Sequence, residues 1–116
     1  MRQHFIAYLI EHLEYNEGLM SSEQEVKYNG MSKRCDIAVY SNDMRARIIV
    51  ECKAPDIRIS QDTFYQIAKY NQVLQAPVLI LTNGMDHYCA LINYTDGSLQ
   101  FLDKIPTKRE LALITD

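Results

Sequence analysis

The sequence predicts a mixed α/β domain in which one β-sheet carries helices on its faces. Two segments repeat apolar residues at helical spacing, and several shorter segments alternate like strands or are apolar throughout. Turn-forming pairs such as Asn-Gly separate these segments. The 116 residues have the length of a single domain, and 47% of them are hydrophobic, which is typical of a chain with a packed core. We therefore treat residues 1–116 as one domain.

The first half of the chain predicts one helix followed by three strands. Residues 2–15 place an apolar stripe on one helical face, and Gly18 follows as a stop signal. The stripe consists of Phe5, Ile6, Leu9, Ile10 and Leu13. Strands are predicted over residues 23–28, 35–40 and 46–53, with Asn29-Gly30 as the turn between the first two.

The second half predicts a long helix and three more strands. Ser60 has the position of an N-cap for a helix that continues to about Leu74. Strands are predicted over residues 78–82, 88–94 and 99–102, and residues 107–114 form either a short helix or a frayed tail. The resulting order is α-β-β-β-α-β-β-β. Because the long helix separates the third and fourth strands, those two are expected to be parallel.

Composition excludes several classes of function. The four glycines form neither a GxxxxGK[ST] nor a GxGxxG loop, so no nucleotide site is predicted in this chain. The longest apolar run, residues 78–81, is too short to span a membrane. Three cysteines without a CxxC pair predict reduced thiols, no zinc site and a cytoplasmic protein. The three histidines show no metal-ligand spacing and are predicted to be surface or structural residues.

Charge is distributed unevenly along the chain. The net charge is −3, which does not indicate nucleic-acid binding by itself. Residues 27–58, however, contain seven basic and four acidic residues, a local charge of +3, whereas the remainder carries −6.

The segment Ile48-Ile-Val-Glu-Cys-Lys53 carries the most chemical information. It is apolar on both faces, and strand alternation puts Glu51 and Lys53 on the same side. Burying an unpaired carboxylate costs several kcal/mol, so Glu51 requires a cation. Lys53 is one candidate, and an ordinary ion pair between the two remains an open interpretation.

A hairpin between this strand and the preceding one brings a second carboxylate to Glu51. If residues 41–46 close a four-residue loop, opposed residues have numbers that sum to 87, and Asp36 lies across from Glu51. Opposed side chains have Cβ atoms roughly 4.5–5.5 Å apart. Two carboxylates at that separation repel unless a divalent cation lies between them, and oxygen ligands favour Mg²⁺ or Mn²⁺.

These residues resemble a known nuclease signature. Asp36 followed by Glu51-Cys-Lys53 is similar to the PD-(D/E)xK motif, with Cys35 in place of the proline. Three stretches resemble the N-terminal nuclease domain of type I restriction enzyme R (HsdR) subunits: Arg34-Cys-Asp-Ile-Ala-Val-Tyr40, Val50-Glu-Cys-Lys-Ala-Pro55 and Gln61-Asp-Thr-Phe-Tyr-Gln-Ile-Ala-Lys-Tyr70. Gln66 and Tyr70 match a QxxxY motif, and Thr82-Asn-Gly84 and His87-Tyr-Cys89 are also similar to the family.

The resemblance implies a restriction-endonuclease-like core and a role for each site residue. Asp36, Glu51 and the main-chain carbonyl of Cys52 would bind the metal, and Lys53 would position the attacking water and neutralise developing charge. Gln66 and Tyr70 would hold the DNA backbone or support the site, and Arg34 and Lys69 are further candidates for DNA contacts. Many relatives add a glutamate, for which the sequence offers Glu11, Glu14, Glu23 and Glu25 without choosing among them.

The implied function is a Mg²⁺-dependent DNA endonuclease domain, with Mn²⁺ as a substitute. DNA is the implied partner, together with restriction-modification subunits or a helicase domain, and no membrane is involved. The alternative is a non-catalytic DNA-binding or protein-docking module with the same fold. The acidic net charge favours this alternative, whereas the complete set of Asp36, Glu51 and Lys53 favours the nuclease.

Overall fold

A computed structural model describes residues 2–28, 30–54, 56 and 58–115. For residues 2, 23–28, 31–34, 70, 114 and 115 it describes the backbone alone. The helices within these residues are α1 (Arg2–Glu11), α2 (Gln61–Asn71) and α3 (Lys108–Thr115), with a short 3₁₀ turn over Glu17–Leu19. The strands are β1 (Met20–Tyr28), β2 (Met31–Tyr40), β3 (Ala46–Cys52), β4 (Val78–Thr82), β5 (His87–Ile92) and β6 (Leu99–Leu102).

The six strands form one mixed sheet in the order β1-β2-β3-β4-β5-β6. Neighbouring strands are antiparallel except β3 and β4, which are parallel and are joined through α2. The predicted parallel pair and the mixed α/β class are therefore confirmed. The strands lie in chain order because four of the five neighbouring pairs are antiparallel and connected by short turns, and only the parallel pair needs a crossover.

Alternating side chains divide the interior into two cores, one on each face of the sheet. On one face, Ile48 and Val50 of β3 pack with Phe5 and Leu9 of α1 and with Leu111 of α3. On the other face, Ile49 packs with Leu79 and Leu81 of β4 and with the α2 residues Phe64 and Ile67. All five residues of β4 are buried, as expected for a central strand that is covered on both sides.

The predicted element boundaries hold for β4 and β6 and shift elsewhere. β1 and β2 begin three and four residues earlier than predicted, at Met20 and Met31, because their polar residues continue the hairpin pairing. Helix α1 ends at Glu11 instead of residue 15, since Glu14 adopts a left-handed conformation with a φ of 67°. Part of the predicted turn, Asn29, lies outside the described residues, and Gly30 has a φ of 75°.

Three further elements have boundaries that differ from the predictions. Ser60 precedes α2 and accepts from the N–H of Thr63 at 3.4 Å, but the helix ends at Asn71, short of Leu74. Strand β3 ends at Cys52, and β5 runs from His87 to Ile92. The C-terminal segment is a helix and not a frayed tail.

A capping box explains why α3 forms. The N–H of Thr107 donates to Glu110 Oε1 at 3.0 Å, and the N–H of Glu110 donates to Thr107 Oγ1 at 3.2 Å. The N–H of Lys108 also donates to the carbonyl of Leu13 at 3.0 Å, which ties α3 to the segment after α1.

The β2–β3 hairpin contains a bulge that sets the register of the site. Ile37, Ala38 and Val39 pair with Val50, Ile49 and Ile48, so the predicted sum of 87 is confirmed for these pairs. The predicted loop is wrong by one residue, because Tyr40 pairs with Ala46. Arg47 is the extra residue between the two registers, and it restores the predicted pairing towards the site.

Candidate active site

The candidate site lies where the parallel strands β3 and β4 end, next to the middle of β2. The last pair of the β2–β3 ladder toward this end is Ile37 with Val50. Asp36 and Glu51 are the next residues along the two strands, but the ladder ends before them, so their direct opposition stays a prediction.

Strand β2 twists at Asp36. Strict alternation would put Cys35 and Ile37 on the same face, yet they pack into opposite cores of the domain. At this point Asp36 Oδ2 accepts a hydrogen bond from the main-chain N–H of Cys52 at 2.7 Å. A side-chain oxygen of β2 therefore bonds the β3 backbone where the regular pairing ends. The carboxylate is held against the peptide unit of Cys52 and is only half-buried.

Glu51 is almost completely buried at the same end of the sheet. Its side chain is 7% exposed, and in the parallel ladder it is the partner of Leu81 on the face that α2 covers. Burial, followed by the negative charges of Glu51 and Asp36, raises the pKa of the Cys35 thiol to about 12.

Lys53 directly follows β3 and continues its pairing with β4. Its N–H donates to the carbonyl of Thr82 at 2.7 Å, one residue beyond the last paired position of the strand. Since the backbone stays in the ladder, alternation keeps Lys53 on the same face as Ile49 and Glu51. The side chain is half-buried. The structure thus brings the three predicted catalytic residues to one end of the sheet.

Two of the predicted DNA-binding residues of α2, Gln66 and Lys69, are exposed to solvent. Phe64 and Ile67 form the buried stripe of this helix. Tyr70 lies in α2 and Arg34 lies in β2, but their side chains are outside the described part of the structure.

The four candidate glutamates differ in their positions relative to the site. Glu11 and Glu14 are exposed, and Glu14 lies beside Tyr15, which lines a cavity at the opposite end of the sheet. Glu25 is the register partner of Arg34. The pairs on either side of Glu23, Ser22 with Ile37 and Gln24 with Cys35, put its backbone opposite Asp36. Glu23 and Asp36 therefore occupy adjacent positions on neighbouring strands.

Sequence reasoning gave no role to Thr82 and His87, although both belong to this end of the sheet. Thr82 is fully buried, and its hydroxyl lies 2.6 Å from His87 Nδ1. The Thr82-Asn-Gly84 motif was the available signal, since a polar residue followed by Asn-Gly at the end of an apolar strand marks a specific turn.

The donor atoms fit a hard divalent cation. Among the described residues, no group of three or more His, Cys, Asp or Glu side chains could hold a metal ion. Asp36 and Glu51 supply two carboxylates, so further ligands would come from the Cys52 carbonyl, from water or from Glu23. Such an all-oxygen set suits Mg²⁺ or Mn²⁺ and does not suit zinc. The Cys52 thiol packs against the α1 side of the sheet, away from Glu51.

The six-stranded mixed sheet, with α1 and α3 packed on one face and α2 on the other, defines the class as a mixed α/β domain. A family model described as the type I restriction enzyme R protein N terminus matches residues 1–106. The chain belongs to this family. A search of the curated proteins finds no match.

A solved structure supports the same assignment. It is described as the fragment structure of an HsdR subunit of a type I restriction enzyme from Vibrio vulnificus YJ016. The similarity has a TM-score of 0.63 and 26% sequence identity over 94% of this chain. This chain spans 23% of the length of that relative. In the described residues, no helix is long and apolar enough to cross a membrane.

Proposed function

We propose that this domain is a metal-dependent DNA endonuclease that hydrolyses phosphodiester bonds. The observation that carries the proposal is the hydrogen bond from the Cys52 N–H to the Asp36 carboxylate, beside the buried carboxylate of Glu51. It ties one predicted metal ligand, Asp36, to the residue whose main-chain carbonyl is another. Two carboxylates, one half-buried and one almost completely buried, lie at this end of the sheet, and carboxylate oxygens are the ligands that Mg²⁺ and Mn²⁺ prefer.

The chemistry divides between a metal ion and this chain's own residues. Mg²⁺, with Mn²⁺ as a substitute, would be held by Asp36, Glu51 and the Cys52 carbonyl, and it would polarise the scissile phosphate. Lys53 orients the attacking water and donates to the phosphate oxygen on which negative charge develops. The covering helix α2 and the apolar core beneath Glu51 limit the water around the carboxylates and so strengthen these interactions.

Glu23 completes the acidic set in this proposal. Of the two candidate glutamates in β1, Glu23 is the one whose backbone lies opposite Asp36. A third carboxylate increases the affinity of the site for a divalent cation. Glu23→Gln is therefore expected to weaken metal binding, whereas Glu14→Gln, at the other end of the sheet, is expected to leave it unchanged.

DNA contacts come from residues around the site. Lys69 and Gln66 lie on the exposed side of α2, and Arg34 belongs to the segment of local charge +3. Tyr70 is assigned to the same surface from the family resemblance. With so few basic residues to release counterions, the isolated domain is expected to bind DNA weakly. Effective cleavage is expected when restriction-modification subunits or a helicase domain deliver the DNA, in the cytoplasm.

A non-catalytic DNA-binding or docking module is the second candidate. The net charge of −3 favours it, because an enzyme that binds DNA alone usually carries a broad basic surface. Under this alternative, Asp36 would serve only to fix the β2–β3 hairpin through its bond to Cys52.

Cleavage assays with carboxylate variants separate the two candidates. Wild type, Asp36→Ala and Glu51→Ala would be incubated at high protein concentration with Mn²⁺ and nicked, linear or single-stranded DNA. Asp96→Ala is the matched control, because this exposed carboxylate hydrogen-bonds only within its own turn and lies at the opposite end of the sheet. We expect cleavage by wild type and Asp96→Ala alone. Equal cleavage by all four proteins would contradict the proposal. Absence of cleavage by wild type in the presence of restriction-modification subunits would contradict it as well.

A further inference from the structure

We propose that Thr82 and His87 form a positioning pair that fixes the backbone of Lys53. This inference rests on the proposed function, because it gives Lys53 its catalytic role. Neither residue is assigned to contact the DNA or the metal.

Thr82 connects three parts of the structure through its two oxygen atoms. Its carbonyl accepts from the Lys53 N–H at 2.7 Å. Its hydroxyl accepts from the Gly84 N–H at 3.1 Å and lies 2.6 Å from His87 Nδ1. The residue is completely buried at the end of β4. A displacement of Thr82 therefore also moves the carbonyl oxygen that accepts the Lys53 N–H.

The turn after Thr82 is tightly organised. Asn83 Oδ1 accepts from the N–H groups of Met85 and Asp86 at 3.0 and 2.8 Å, and the Asn83 N–H donates to the Asp86 carbonyl at 3.2 Å. Gly84 has a φ of 90°, a conformation that few other residues adopt. The turn thus returns the chain to His87 in one defined geometry.

His87 attaches this turn to helix α1, which packs on the sheet face opposite to α2. Its ring makes edge contacts with Phe5 and Tyr8, with centroids 5.3 and 6.2 Å apart. Together with His4, Thr82 and Gly84, these rings line a cavity of about 150 Å³. While its oxygen accepts the Gly84 N–H, the Thr82 hydroxyl still has its proton to donate to His87 Nδ1.

This attachment matters because Lys53 lies beyond the end of its own strand. The peptide unit that carries Lys53 is tied to β4 by the bond to Thr82, while its side chain is long and flexible. A displacement of about 1 Å at a catalytic group can cost on the order of 100-fold in rate. Loosening Thr82 should therefore impair the placement of the ammonium group without changing the affinity for DNA.

The test compares kcat and KM for DNA cleavage among matched variants. Thr82→Val removes the hydroxyl, Thr82→Ser retains it, and His87→Phe retains an aromatic ring without Nδ1. Tyr94→Phe is the control, since it removes a different hydroxyl hydrogen bond, to the Ala76 carbonyl, away from Lys53. We expect kcat to fall by about tenfold or more in Thr82→Val and His87→Phe at unchanged KM. Thr82→Ser should recover most of that loss, and Tyr94→Phe should match wild type.

Two outcomes would overturn the proposal: an unchanged kcat in both Thr82→Val and His87→Phe, or a Thr82→Ser protein as slow as Thr82→Val. Amide hydrogen exchange at Lys53 provides a readout that is independent of cleavage. Faster exchange in Thr82→Val and His87→Phe than in Tyr94→Phe supports the positioning pair even if wild type cuts no DNA. Equal exchange rates would refute it, whereas absent cleavage alone would count against the proposed nuclease function.

Discussion

The carboxylate of Asp36 accepts the main-chain N–H of Cys52 at 2.7 Å, at the point where the β2–β3 ladder ends. This contact does two things at once. It provides an acceptor for a strand N–H that has lost its regular partner, and it holds a carboxylate beside the peptide unit of Cys52. The structural and the catalytic roles of Asp36 therefore have to be separated by substitutions that remove one and keep the other.

Asp36→Asn and Asp36→Ala should differ in stability when no metal is present. Asparagine retains an oxygen that can accept the Cys52 N–H and removes the charge that repels Glu51. Alanine leaves that N–H without its acceptor, at a cost of about 1–3 kcal/mol. Urea denaturation in EDTA should therefore show Asp36→Asn to be more stable than Asp36→Ala and at least as stable as wild type. Equal stability of the two variants would mean that the bond to Cys52 contributes nothing.

Divalent cations should stabilise the wild-type domain. Binding to the folded state alone raises the free energy of unfolding by about 2.7 kcal/mol at a ligand concentration 100 times Kd. Millimolar Mg²⁺ or Mn²⁺ should therefore raise the Tm, and Asp36→Ala and Glu51→Ala should abolish the increase. Asp96→Ala should retain it. A metal response that persists in both site variants would place the binding site elsewhere.

The capping box of α3 predicts a stability effect remote from the site. Thr107→Ala removes the acceptor of the Glu110 N–H and should cost about 1 kcal/mol in urea denaturation at pH 7. The Thr107 N–H, and then the Lys104 ammonium, lower the pKa of Glu110 below its ordinary 4.5. The charged form of Glu110 thus stabilises the fold above pH 4.5, and this contribution is lost as the pH falls through the lowered pKa. Glu110→Gln should reduce this acid sensitivity, and an unaltered pH profile would contradict the assignment.

Alkaline pH should destabilise the domain through its buried thiols. Burial raises the pKa of Cys89 from 9.0 to about 12. Between these values the unfolded chain releases the thiol proton and the folded chain retains it, so the free energy of unfolding falls as the pH rises above 9. Cys89→Ala should reduce the slope of stability against pH in this range, measured by urea denaturation, whatever it does to stability at pH 7. An identical slope in wild type and variant would contradict the raised pKa.

Sequence patterns predicted the sheet well because two central strands are buried on both faces. β4 is apolar from Val78 to Leu81, and β3 is apolar except at Arg47 and Glu51, so their positions follow directly from hydrophobicity. The register of 87 was also predicted correctly, but through a loop that does not exist. Next to the loop, Tyr40 pairs with Ala46, which is one residue away from the predicted register. The bulge at Arg47 restores the predicted register from Val39 and Ile48 onward. Bulges depend on local backbone geometry, which hydrophobic alternation does not encode.

The parts of the site that the sequence did not reveal depend on contacts between distant segments. The position of Glu23 opposite Asp36 follows from the register of the β1–β2 hairpin, which the sequence analysis did not derive. The link from His87 through Thr82 to Lys53 requires the pairing of β3 with β4 and the packing of β5 on α1. Neither Thr82 nor His87 belongs to a charge pattern that would identify it from a single sequence.

Turnover of DNA by Lys53→Ala tests the proposed nuclease most directly. Lys53 is assigned to the transition state, so its loss should lower the cleavage rate at saturating DNA by on the order of 100-fold and leave Kd unchanged. Lys69→Ala should instead weaken binding and reduce its salt dependence. Lys108→Ala, an exposed lysine at the opposite end of the sheet, should match wild type in both measurements. If wild type and Lys53→Ala cleave at the same rate, or are equally inert while binding DNA alike, the central claim is contradicted and the non-catalytic module becomes the better account.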